Sequence, residues 1–416
     1  MLSSYRQIFA TPGTRAFSSS GLIARLPISM TGIGIVTMLS QLRGSYGIAG
    51  AVSAVLALSA AVLGPQVSRL VDRYGQRRVS LPATGLTVVA AVALLLCART
   101  GAPDWTLFAA AAGMGVMPST GSMVRARWAH LYSGEPPKLH TAYSFEAVVD
   151  EICFIVGPIL SIGLATSVFP EAGVLLAGVF LVTGVVLFTS QRRTEPPVHP
   201  ATHHSGRSAL FSPGLEVLVL TFVATGAIFG SVEVVTVAFA QEQGHKAMSS
   251  LVLAVYALGS GLAGVVFGTL KLNGSPAGRF LGGVVLMAVS MVAPLLAAEW
   301  LHGTAGLVAV GTALFLAGIA ISPTLITAMA LVERLVPANQ LTEGMTWTTT
   351  GLALGAALGS SVAGWTVDAA GAPAGYWVPA GAGLFGALTA LAGLHRLRSG
   401  LTTAAVPAAG EVALQR

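Results

Sequence analysis

Apolar runs of about 20 residues recur along the whole chain, separated by short polar breaks. The runs are continuous and lack the alternation of a strand, which argues against a transmembrane barrel. A helix needs about 20 mostly apolar residues to cross a bilayer. That window predicts twelve spans, at 16–41, 46–70, 77–98, 105–129, 141–167, 171–190, 215–239, 248–270, 279–299, 305–332, 340–368 and 376–395. The breaks carry turn chemistry, as in Gly-Ala-Pro at 101–103, Gly-Glu-Pro-Pro at 134–137, Gly-Ser-Pro at 274–276 and Gly-Ala-Pro at 371–373. The first run is long, interrupted by Arg25, and followed by eleven others. It therefore predicts a retained span, not a cleaved signal peptide.

Composition agrees with that pattern. Hydrophobic residues make up 54% of the 416 positions, charged ones only 9%, and the mean hydropathy is +0.78. A soluble protein carries about 25% charged residues, so this chain lacks the polar side chains to wet a globular surface. A cytosolic enzyme, a secreted disulfide scaffold and a disordered chain are excluded. Cys97 and Cys153 both lie inside apolar runs, and no CxxC motif exists, so neither a disulfide framework nor a metal or redox centre is expected. An all-α polytopic membrane protein without a cofactor is the expected class.

The net charge of +6 and a pI near 9.7 are explained by topology, without any nucleic acid. With the N-terminus in the cytoplasm and the spans alternating, 18 of the 22 Lys and Arg residues fall on the cytoplasmic side, Arg125 and Arg127 among them. Arg43, Arg99 and Lys246 fall outside, and Arg25 lies within the membrane. That is the bias of the positive-inside rule. It predicts a cell-membrane protein with both termini cytoplasmic. The longest polar break, 191–213, follows the sixth span and reads as a central cytoplasmic linker. It separates an N-terminal unit, 1–190, from a C-terminal unit, 214–398, with a tail at 399–416. His199, His203 and His204 in the linker have a spacing compatible with a metal, but a solvated polar segment accounts for them as well.

The break between spans 2 and 3 reads Ser68-Arg69-Leu70-Val71-Asp72-Arg73-Tyr74-Gly75-Gln76-Arg77-Arg78. It resembles motif A of the major facilitator superfamily, G-x-L-x-D-R-x-G-x-R-[RK], with Ser68 in place of the opening Gly. The corresponding break of the second half, Gly268 to Arg279, resembles a degraded copy without the acid. Weak repetition of this kind is usual for paired transporter halves. The resemblance implies twelve transmembrane helices in two pseudo-symmetric six-helix bundles, a small-molecule substrate, and a monomer. It also implies a gate in which Asp72, with Arg69, Arg73, Gly75, Arg77 and Arg78, meets the start of span 11 near Gln340–Glu343. Gly157-Pro158-Ile159-Leu160-Ser161-Ile162-Gly163 in span 5 is similar to motif C, which the superfamily associates with antiporters, and adds Gly157 and Pro158 to the gating candidates. In span 4, proton-coupled members carry an Arg where alignment on Gly113-Met-Gly115 places Ala109.

An ionisable side chain inside a span costs about 2.5–3.5 kcal/mol on insertion scales and needs a pairing or functional reason. Arg25 lies near the middle of span 1, and span 5 carries Glu146, Asp150 and Glu151. Glu146 and Asp150 are four apart and share a helix face. Three acids against one Arg cannot all be ionised and dry. Arg25 is expected to pair with Asp150 or Glu146, leaving an acid to carry a proton; a permanent lock between spans 1 and 5 is the structural alternative. Glu233 in span 7 is placed either at the central cavity or at the outer surface. Glu343 opens span 11, where an acid favours the helix N-terminus. Candidate substrate contacts are Arg25, Met30, Glu233, Thr236, Pro323, Thr324 and Trp347, a mixture suited to an amphipathic molecule. The Gly351-x3-Gly355-x3-Gly359 and Gly264-x3-Gly268 stripes are expected either as sliding surfaces between halves or as ordinary close packing.

The leading expectation is a transporter that exports a small organic molecule in exchange for protons; uptake by symport uses the same apparatus. An intramembrane enzyme is disfavoured, because all eight histidines lie in loops or at span ends and no HExxH motif exists. A non-transporting sensor would need signalling parts that the short tails do not supply.

Overall fold

In the computed structural model the described residues are 2–44, 46–198, 208–245, 248–270 and 274–399. All regular structure among them is helical. The chain begins with the short α1 (Leu2–Ile8), then α2 (Thr14–Arg43), α3 (Tyr46–Tyr74), α4 (Gln76–Thr100), α5 (Asp104–Met114), α6 (Thr120–Leu131), α7 (Pro136–Ser167) and α8 (Ala172–Ser190). The second series is α9 (Leu215–Glu242), α10 (Met248–Phe267), α11 (Pro276–Ser290), α12 (Val292–Trp300), α13 (Gly303–Gly318), α14 (Ile321–Leu335), α15 (Leu341–Ala370), α16 (Ala372–Gly375) and α17 (Trp377–Ala392). The first series packs into one six-helix bundle and the second into another.

Among the described residues, nine helical segments are long and apolar enough to cross a membrane by length and composition alone. The other three expected spans fall short of that length or hydropathy. Span 4 is broken between α5 and α6 at Gly-Val-Met-Pro-Ser, where Pro118 has no amide hydrogen to donate and Gly115 lies against Ser59. Span 11 is the continuous α15, rich in Gly, Ser and Thr. Span 12 is α17 with a helical turn beyond Gly393. Spans 9 and 10 are also divided, α11 from α12 and α13 from α14.

The glycine stripe of α15 faces α9 within its own bundle. A Cβ on Gly355 or Gly359 would collide with the carbonyls of Val223 and Ala227, and one on Gly226 of α9 with that of Leu352. The two backbones touch, so this stripe is fixed packing and not a sliding surface between halves. The stripe of α10 does face the other bundle: Gly264 lies over Val148, and Gly268 over Ser144.

Contacts between the bundles run from the end of the molecule that carries Asp72 to about mid-depth. There α3 and α6 meet α15, and α7 meets α10 and α14. The Tyr5 hydroxyl of α1 donates to the Val265 carbonyl (2.9 Å), and His140 Nε2 pairs with the Phe267 carbonyl (2.8 Å), at the same end. The structure is thus closed at the Asp72 end.

Candidate functional site

The buried charges form one network across α2, α6 and α7. Arg25 is 4% exposed. Its Nη2 pairs with Glu146 Oε2, its Nη1 lies 2.8 Å from Asp150 Oδ1, and its Nε donates to the Gly21 carbonyl one turn back. Sequence reasoning allowed Arg25 one of the two acids; it holds both. Arg125, counted in sequence on the cytoplasmic side, lies inside α6, is buried, and pairs through Nη2 with Asp150 Oδ2. The expected excess of acids is therefore absent here: two guanidiniums face two carboxylates. Span 4 does supply an arginine, further along the helix than the Ala109 position.

Glu146 is the more enclosed acid, with no exposed side-chain surface. Its Oε1 accepts from Trp128 Nε1 (2.6 Å) and from the Ser18 hydroxyl (3.4 Å). Charge-assisted bonds of this kind are about twice as strong as neutral ones, and they hold the carboxylate in place. Arg127, likewise counted on the cytoplasmic side, is fully buried beside the network. Its Nε donates to Gln76 Oε1 (2.8 Å), its Nη1 to the Gln191 carbonyl (2.9 Å) and Thr194 Oγ1 (2.8 Å), and its guanidinium lies 3.9 Å from the Phe188 ring centre. It ties α6 to the start of α4 and to the linker.

Glu151 points elsewhere. Its Oε1 accepts from Ser260 Oγ of α10 (2.7 Å), and Ser260 is bonded in turn to Ser322 Oγ of α14 (2.8 Å). Among the described residues no cation pairs with it. The 100° turn between neighbouring helix residues separates the two roles: Asp150 faces its own bundle and Glu151 the other.

At the closed end, Asp72 accepts from the backbone amides of Thr342 (3.2 Å) and Glu343 (2.9 Å), the first turn of α15. Those amides have no partner within their own helix, and the helix dipole favours a carboxylate there. Ser68 Oγ meets Thr346 Oγ1 at 2.8 Å, and Thr346 also donates to Ser122 Oγ (3.0 Å), so this contact joins three helices. Arg69 Nε stands 4.0 Å from Glu343 Oε2, while Arg73, Arg77 and Arg78 are exposed. Gly75 has φ +96°, a conformation that strongly favours glycine, and carries the chain from α3 into α4. Gly157 lies where α7 crosses α2, with Ser29 occupying the space a Cβ would need; Pro158 follows within the continuous α7.

The linker reaches both sides of this contact. Glu195 Oε1 accepts from the Arg77 amide (3.1 Å). Glu343 Oε1 accepts from the Ser208 hydroxyl and the Ala209 amide (3.1 Å). Between them lies a cavity of about 210 Å³ lined by Asp72, Gln76, His130, Pro196 and Glu333 among others. His199, His203 and His204 lie outside the described residues. Among the described residues no group of three or more His, Cys, Asp or Glu could hold a metal.

The remaining candidates do not converge. Met30 is packed with Leu26, Val149 and Cys153 between α2 and α7. Thr236 meets the Tyr376 hydroxyl (3.2 Å), Thr324 is buried against Gly283 of α11, and Trp347 donates to Ser208 (3.2 Å) at the closed end. Only Glu233 is exposed, with Pro323 half-buried in α14. Helical spacing could not tell the face of α9 turned to α17 from the face turned to the other bundle. Arg125, Trp128 and Ser260 were missed. Arg125 could have been found, because it lies inside the apolar window 105–129 and not beyond its end.

The helical scaffold matches solved transporters closely in shape though distantly in sequence. A bacterial homologue of the iron transporter ferroportin, in its outward-facing state, superposes with a TM-score of 0.74 at 17% identity over 92% of this chain and 99% of that one. The human organic anion transporter MFSD10 (TETRAN) gives 0.69 at 15% identity, over 91% and 100%. The E. coli fucose:proton symporter FucP gives 0.67 at 14% identity, over 91% and 98%. No curated protein matches the sequence. The family model described as Major Facilitator Superfamily matches residues 17–314 and 236–411, nearly the whole length, and this chain belongs to that superfamily of transporters.

Proposed function

We propose that this transporter exports a small amphipathic organic molecule across the cell membrane in exchange for protons, by alternating access between its two bundles. The observation that carries the reading is the buried network of Arg25, Arg125, Glu146 and Asp150, next to an interface acid, Glu151, that lacks a cation. Buried charge of this cost is retained in a membrane where it works. An inward proton supplies about 2.3 kcal/mol per 100 mV of membrane potential. The Asp72 contact with α15 closes the cytoplasmic side, and the lysine and arginine bias sets both termini there. Leaving Arg125 and Arg127 out of the cytoplasmic count keeps that bias intact. The units 1–190 and 214–398, joined by 191–213, act as the two moving bodies.

The similarity of span 5 to the antiporter motif, with Gly157 seated on α2, favours export over uptake. The test is uptake of amphipathic fluorescent dyes into everted vesicles with an acidic interior. Gradient-driven accumulation is expected in the native protein. Accumulation only with the reversed gradient would identify a symporter, and indifference to any gradient would remove proton coupling.

A further inference from the structure

We infer that Glu151, through its contact with Ser260, is the proton-controlled latch between the two bundles, and that the Arg25–Asp150 network holds α7 in place without itself releasing a proton. This inference rests on the proton-coupled reading above and names the group that does the coupling.

The three acids of α7 differ in what neutralises them. Asp150 faces two guanidiniums, and Glu146 faces one guanidinium, an indole N–H and a hydroxyl. Protonating either would leave a buried arginine short of its counter-charge. Breaking a buried pair is strongly unfavourable because the remaining charge is uncompensated. Glu151 meets only hydroxyls, so taking up a proton there strands no cation.

The partners of Glu151 come from the other bundle. Ser260 donates to it, so the Ser260 oxygen is left to accept from Ser322, and two hydroxyls in series are aimed at the carboxylate. The Tyr256 hydroxyl, one turn before Ser260 on the same face of α10, is buried without a hydrogen-bond partner. The ionisable groups around Glu151 are thus Asp150 on its own helix and Tyr256 on α10; α14 contributes only Ser322. This arrangement suits the ionised acid. Protonation turns a charge-assisted bond into a neutral one of about half the strength and loosens α7 from α10 and α14 at the closed end. A proton taken up while the opposite end is open therefore favours opening of the Asp72 end, which carries the proton in the inward direction.

The test uses spin labels at Ala51→Cys and Ala369→Cys, both exposed at the ends of α3 and α15 remote from Asp72, in full-length protein with Cys97 and Cys153 replaced by Ala. The labelled protein is placed in lipid nanodiscs, and protons are the only ligand varied. Acidification is expected to shorten the label separation in the native background. Glu151→Gln should hold the short separation at every pH. Glu151→Asp should keep the response with a displaced midpoint, which shows that the variants fold. A pH response of native size in Glu151→Gln would overturn the latch while leaving proton coupling in place. No pH response in the native background would overturn both.

Discussion

Arg125 shows how one guanidinium sets the character of its surroundings. With Arg25 it balances Glu146 and Asp150, and the four side chains join α2, α6 and α7, with Arg25, Arg125 and Glu146 buried and Asp150 half-buried. Removing one member leaves a net charge in the interior, at a cost of about 3–5 kcal/mol. Arg125→Leu is therefore expected to lower the thermal unfolding midpoint in detergent markedly, and the Arg125→Leu/Asp150→Leu double variant to recover much of the loss. If the double variant is less stable than the single one, the pair does not act as a unit. Arg127 is anchored differently, by Gln76, Thr194, a backbone carbonyl and the Phe188 ring, with no acid paired to it among the described residues. Charge pattern assigns both arginines one reading, cations on the cytoplasmic side. Burial assigns them two different ones, because the end of a span and the side chains folded over it are not visible in the order of residues.

At the scale of elements, α15 has two faces with separate tasks. Its glycines seat it against α9, and its first turn, with Thr346, receives α3 and α6 of the other bundle. Overpacking a close helix contact costs about 1–3 kcal/mol. Gly359→Ala is expected to reduce the yield of monodisperse protein severalfold, whereas Gly364→Ala, five residues on with open space around its Cα, should have no effect. Equal effects would show that the α15–α9 contact does not depend on glycine. The stripe itself was readable as small residues at intervals of four. Its partner was not, since the same spacing serves fixed packing and sliding alike. The broken spans follow the same logic: Pro118 was visible as a helix breaker, but the window of apolar residues ran across it.

For the molecule as a whole, the closed end depends on a few polar contacts among much apolar packing. Asp72 on the two α15 amides contributes about 1 kcal/mol, or roughly fivefold in the ratio of closed to open forms. Asp72→Asn should raise thiol labelling of a cysteine placed at Ala126, which is buried beneath this contact, by about that factor. Labelling at the native rate would show that the carboxylate does not hold this end shut.

Hydropathy and charge alone determined the membrane class, the number of spans and, through the residues around Asp72, the superfamily, because each depends on composition over tens of residues or on a short local spacing. Tertiary structure decided which buried charges meet, that Glu151 turns from its neighbour Asp150 toward the opposite bundle, and that Met30, Thr236 and Thr324 pack within their own bundles. Those outcomes depend on the rotation of each helix about its axis. That rotation is set by side chains far apart in the chain, and a neighbouring residue on the same helix differs by about 100° in direction.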